Sequence, residues 1–300
     1  MKTLLPLLLV LLIFTAGSCK KKALEPDNLI ASFSTFRSDS AATGTPDPKE
    51  ETYYGLLTPV EICVIFNRLG VPYINATLNP TSNRDLYLSS SRAAINIGIY
   101  GVDFGYLKIF GIGQEVIDYI VTIREMSNKL GIPDNLLMEP LKRVENDLSD
   151  PDTITALMQK TYTDIEDHLR LSGRESTAGL MLMGGWVEAM FIATRLVYDP
   201  ANPDAEVVEK IAEQKYTLTS LLSFMKNYYD DPVVVYYTKK LKYLKNYFDS
   251  FEIYFEKGDL EIDTSKKVLR SSGARMTVTV ETLNKIRDYV AKLRTEMVTP

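Results

Sequence analysis

Residues 89–110 read SSSRAAINIGIYGVDFGYLKIF, and residues 176–198 read STAGLMLMGGWVEAMFIATRLVY. These two stretches decide the fold class. Each is too long for a strand and apolar almost all round, the mark of a helix buried on every side. Each also carries small residues at helical spacing: Ala94, Gly98, Gly101 and Gly105 in the first, Ala178, Gly185, Ala189 and Ala193 in the second. Such faces let two backbones approach closely, so the pair is expected at the centre of the molecule.

Outward from this pair, amphipathic patterns predict helices over 114–130, 134–148, 152–172, 204–229, 232–256 and 280–298. Gly131-Ile132-Pro133, Asp150-Pro151, Asp199-Pro200 and Asp231-Pro232 fall between them, as helix ends and starts should. Thr58-Pro59-Val60-Glu61 is a capping box with proline at the first helical position, and that shorter helix stops at Gly70. A loop rich in Asn, Pro and Thr runs from Val71 to Asn83. β-favouring pieces such as Arg275 to Val280 leave room for a small β-hairpin before the last helix. The predicted fold is therefore all-α, as a multi-helix bundle or as stacked helix pairs. Both apolar helices are followed by an amphipathic one, which suggests internal duplication of a helix pair. An offset of 84 aligns most of the small residues, and an offset of 85 aligns Val102-Asp103 with Val187-Glu188. The tetratricopeptide consensus is not matched.

The opening of the chain reads as an address. Met1 and Lys2 precede an apolar run from Leu4 to Phe14, too short for a permanent membrane span, which needs about 20 apolar residues. Ala16-Gly17-Ser18 then leads into Cys19. Residues 1–18 are expected to be a lipoprotein signal peptide and Cys19 the lipid attachment site. Several acyl chains bury enough methylenes to give stable anchoring where one would not. Residues 19–52, rich in Ser, Ala, Thr, Pro, Asp and Gly, read as a flexible tether with a relaxed span of about 30 Å and a stretched reach of roughly 100 Å. Asp39-Ser40-Ala41 within it matches a three-residue O-glycosylation signal. Residues 53–300 form one helical domain on this reading, without a later membrane-spanning segment.

Composition narrows the function. Loss of residues 1–18 removes one basic residue, Lys2, leaving 33 basic against 39 acidic and a formal charge of −6. That balance argues against generic nucleic-acid binding. Cys63 is the other cysteine and His168 the one histidine, so no Cys/His zinc site can be built and no disulfide remains once Cys19 is acylated. The chain has no Gly-x-Ser-x-Gly elbow, P-loop, Rossmann fingerprint or EF-hand loop, and Asn75-Ala76-Thr77 matches the N-glycosylation sequon by accident. No catalytic, cofactor-binding or metal-binding residue is assigned.

Two constellations remain. Asp103 and Glu188 each sit amid an apolar helix, where an isolated charge is costly to bury. Arg92 and Asn96 lie on the stripe of Asp103, and Arg195 lies seven residues beyond Glu188. This cluster either lines a pocket for a small polar ligand or cation, with general acid and base chemistry as its catalytic extreme, or fixes the packing of two halves. The second constellation is on helix 232–256. Tyr237, Leu241, Leu244, Phe248, Phe251 and Phe255 make a core stripe; beside it run Tyr236, Tyr243, Tyr247 and Tyr254 with four interleaved lysines. This face is either a half-buried shoulder or an interaction surface for a partner or polymer.

The stretch from Arg92 to Ile132, with Gly98, Tyr100, Gly101, Asp103, Gly105, Tyr106, Gln114 and Leu130-Gly131-Ile132, resembles helical envelope lipoproteins of the Bacteroidota. So do Gly184-Gly185-Trp186-Val187-Glu188 and the Ser18-Cys19-Lys20-Lys21-Lys22 start. The resemblance implies an outer-membrane, lipid-anchored helical protein and supplies no catalytic residues. The expected function is an accessory lipoprotein, non-enzymatic, that presents its helical domain to an envelope protein or polymer. Its first acids after Cys19 are Glu25 and Asp27, which leaves the periplasmic and surface faces both open.

Overall fold

The structure is a computed structural model that describes residues 73–74, 78–146, 151–201, 203, 205–254, 260–263, 268–271 and 275–299. The signal peptide, Cys19, the tether, the capping box at Thr58, Cys63 and Asn75 lie outside the described residues. Among the described residues there are eight α-helices: α1 Ser90–Ile109, α2 Gly113–Lys129, α3 Asp134–Asn146, α4 Pro151–Arg170, α5 Ser176–Ile192, α6 Ala205–Met225, α7 Pro232–Asp249 and α8 Val280–Val298. The class is all-α. Between α7 and α8 lie four short strands, β1 Glu252–Tyr254, β2 Leu260–Asp263, β3 Val268–Ser271 and β4 Arg275–Thr277, paired antiparallel as β1 with β4 and β2 with β3. The predicted helix 232–256 is thus corrected. It ends at Asp249, where Ser250 Oγ donates to the Tyr247 carbonyl, and the chain turns into β1.

The helix starts are set locally. Ser89 Oγ accepts the Arg92 N–H at the head of α1, and Asp231 Oδ1 accepts the Val233 N–H at the head of α7, with Pro232 at the first helical position. Each bond satisfies one amide that a helix start leaves unpaired.

The two apolar helices pack on each other more extensively than any other pair, as their composition requires. Every residue of α5 from Thr177 to Met190 is buried. The closest approach is backbone on backbone. A Cβ built on Gly98 would stand 1.9 Å from the Met181 carbonyl oxygen, and one on Gly184 would stand 2.1 Å from that of Ile95. Gly98 and Gly184 are 86 residues apart, as are Ile95 and Met181 and the starts of α1 and α5, so the seam has a local two-fold with that register instead of 84 or 85. Of the other small residues, Gly185 approaches the Gly98 backbone, while Gly101 faces open space.

The remaining helices wrap this pair. In the first half α2 packs on α1, α3 on α2, and α4 on both α3 and α5; in the second α7 packs on α6, and α8 on α7, α5 and α1. By length and composition alone, Ser176–Leu196 would suffice to cross a membrane, which corrects the expectation that no such segment follows the signal region. In this fold 83% of an 18-residue stretch of it is buried inside the protein.

Candidate functional site

Asp103 on α1 and Glu188 on α5 meet at the central seam, both with 0% exposure. Their arginine is Arg294 of α8, itself only 9% exposed. Its Nε donates to Glu188 Oε2 at 2.9 Å and its Nη2 to Oε1 at 3.1 Å, a two-pronged bond that uses both carboxylate oxygens. Arg294 lies on the buried stripe of Leu283, Ile286, Val290, Leu293 and Met297. An arginine on an apolar stripe was the available signal for this partner.

Asp103 is held differently. Its Oδ2 accepts the backbone N–H of Asn79 at 3.0 Å, and its Oδ1 is buried without a hydrogen-bond donor. What faces it across the seam is the Glu188 carboxylate, another acceptor. Burial, then the Glu188 charge, raise the Asp103 carboxyl well above the usual range; the Arg294 charge and the Asn79 amide oppose this. A proton on Asp103 turns two facing acceptors into a donor and an acceptor, and lets one guanidinium balance the only remaining carboxylate.

Asn79, in the stretch read from sequence as a loop, is the hub of the surrounding network and has 0% exposure. Its carbonyl accepts from Tyr119 Oη at 2.8 Å, and its Nδ2 donates to Asn96 Oδ1 and Tyr87 Oη, each at 3.0 Å. Tyr100 Oη donates to the next carbonyl, that of Pro80, at 2.9 Å. The predicted Asn96 therefore does sit in the cluster. Its own amide reaches out to the Met297 carbonyl at 3.0 Å, and Tyr87 Oη reaches the Val298 carbonyl at 2.9 Å. Arg92 Nη1 donates to the Thr299 carbonyl. Three side chains around the start of α1 thus satisfy the carbonyls that the end of α8 leaves open.

The structure consequently divides the five residues grouped by sequence. Asn96, Asp103 and Glu188 come together. Arg92 serves the end of α8, and Arg195 stands outside on the surface, 4.0 Å from Asp288. The helix explains the displacement of Arg195: from Ala193 to Val197 it winds as a wider π-turn, so seven residues no longer return to the face of Glu188. Asn79, Tyr87, Tyr119 and Arg294 escaped sequence reading because each approaches from an element distant in the chain.

The tyrosine face lies where α7 meets α8. Tyr243 packs on Tyr289 of α8 with ring centroids 5.1 Å apart, and Tyr247 stands 5.5 Å from Tyr243 and 6.1 Å from Tyr289. Tyr247 Oη donates to Tyr243 Oη at 3.2 Å, and Tyr289 Oη to the Lys240 carbonyl at 3.1 Å. One turn earlier Tyr236 Oη donates to Glu296, which also pairs with Lys240 at 2.8 Å, and the Lys240 ammonium sits 4.8 Å over the Tyr236 ring. Tyr236 and Tyr243 remain 49% and 53% exposed. Tyr289 joins the predicted set; Tyr254 is in β1, and its side chain lies outside the described residues. His168 has its Nε2 3.1 Å from the Gly131 carbonyl, tying α4 to the turn between α2 and α3.

Neither protein-family models, curated proteins nor solved structures match this chain. The site is read from its geometry. Among the described residues no group of three or more His, Cys, Asp and Glu side chains is placed to hold a metal ion.

Proposed function

We propose that this protein is a lipid-anchored accessory module of the bacterial cell envelope that works by binding a partner or polymer at its surface, without catalysis. One observation carries the reading. The two acids with chemical potential, Asp103 and Glu188, are fully buried and committed to the Asn79 amide and Arg294, in contacts that join α1, α5 and α8. Their geometry suits a packing device, since a buried ion pair holds elements in register more readily than it meets a substrate. The polar side chains left for recognition are at the surface, and the tyrosine face on α7 and α8 is an organised group of them. The anchor at Cys19, the outer-membrane address and the tether belong to the same proposal and rest on the sequence pattern.

Crosslinking and affinity purification of the full-length protein from native membranes tests it. The expected result is recovery of a discrete envelope component that disappears with Tyr243→Ala/Tyr247→Ala at unchanged helicity. Equal recovery by that variant contradicts a role for this surface.

A further inference from the structure

The tyrosine face continues into a groove, and α7, which borders both, is rich in lysine. The groove, with a volume near 290 Å³, is walled by Ile95, Arg92 and the serines at the start of α1 and by Val233, Tyr236 and Tyr237 of α7. Tyr236 belongs to both. From it the surface runs along α7 past Lys240 to the Tyr243, Tyr247 and Tyr289 rings. Val233 to Tyr247 covers about 21 Å of helix.

Electrostatics select the occupant. The whole chain carries −5, yet α7 holds four lysines and, at its far end, one acid. Lys240 and Lys245 are neutralised by Glu296 and Asp249. Arg92, Lys239, Lys242 and Lys292 pair with no acid among the described residues, and three of them are exposed lysines. Lys292 lies between Tyr289 and Glu296 on α8, three and four residues away, hence on the same face. On a chain that is acidic overall, this edge sets the exposed Lys239 and Lys292 beside a row of half-exposed aromatic rings. Local cationic potential on such a background attracts a negatively charged partner. Tyrosine rings add flat apolar area with a wet hydroxyl at the edge, which matches a sugar ring with an apolar C–H face and a polar rim.

Resting on the reading that this module acts by binding, we infer that the α7–α8 edge binds a linear acidic polysaccharide. Its sugar faces stack on Tyr236, Tyr243 and Tyr289, and its acid groups lie against Lys292, Lys239 and Arg92. Duplex nucleic acid is disfavoured by the net charge of the chain, and an acidic peptide would use the cations and leave the rings idle.

The experiment is calorimetric titration of the lipidated full-length protein in detergent with oligogalacturonate, with the same oligomer methyl-esterified, and with polyglutamate of equal charge. Oligogalacturonate should bind, with the ester and polyglutamate each weaker by about tenfold or more. Tyr243→Ala and Lys292→Glu, both at exposed positions, should each weaken oligogalacturonate by about tenfold with unchanged circular dichroism. Absence of oligogalacturonate binding overturns the inference. So does equal binding of polyglutamate, which would reveal a bare charge patch, equal binding of the ester, or native affinity in Tyr243→Ala. Such a failure would leave membrane anchoring at Cys19 unaffected, because that is read separately by membrane fractionation.

Discussion

Asp103 shows how a single side chain ties pH to stability here. Its folded-state carboxyl is raised above the unfolded value, so between those two values the native state holds a proton that the unfolded chain has released. Stability contributed by this group is complete below the unfolded carboxylate range and falls as pH rises towards the folded value. Each pH unit inside that window costs about 1.4 kcal/mol. Asp103→Asn has no proton to lose, keeps an oxygen for the Asn79 N–H and offers an amide N–H to Glu188. Thermal melts should therefore show the variant gaining on the native protein as pH rises from about 4; a parallel pair of Tm curves would contradict the buried-acid account. Arg294→Leu should lose about 3–5 kcal/mol in urea denaturation, because Glu188 loses the two-pronged donor that offsets its burial. A loss below about 1 kcal/mol would mean that water reaches the carboxylate.

At the scale of elements, the seam between α1 and α5 makes opposite predictions for two glycines three residues apart. Gly98→Ala drives a methyl into the Met181 carbonyl, and neither helix backbone can yield cheaply. About 3 kcal/mol or more of lost stability is expected by chemical denaturation. Gly101→Ala meets nothing within 4 Å and gains alanine's helical preference, up to about 1 kcal/mol. Comparable destabilisation by both would mean that the helices do not cross where described. These elements were legible in the sequence because their signals are local. The apolar runs, the caps and the Asp-Pro breaks set helix ends within a few residues. The end of α7 was not legible, since Phe251 and Phe255 continue the helical stripe; the pairing of β1 with β4, more than twenty residues on, ends it. The π-turn at Ala193–Val197 left no composition signal, and it is what moves Arg195 away from Glu188.

At the scale of the whole molecule, the polar core was legible as a need and not as a set of partners. Burying Asp103 and Glu188 required neutralisation, which the sequence states. That Arg294 and Asn79 supply it depends on α8 and the 78–80 segment folding back onto the central pair, a tertiary fact whose one local trace is the arginine on the apolar stripe of α8. The envelope proposal has its own test: Cys19→Ser should move the protein from the membrane fraction to the soluble one, and retention in the membrane would remove the lipid anchor from the account.

The central claim is that the buried acids hold the fold while the tyrosine face does the work. Recovery of the crosslinked envelope component from native membranes, measured side by side for Asp103→Asn and Tyr243→Ala/Tyr247→Ala at matched helicity, tests it most directly. The account predicts native recovery with Asp103→Asn and loss with the tyrosine variant. Loss of recovery with a folded Asp103→Asn protein would contradict it.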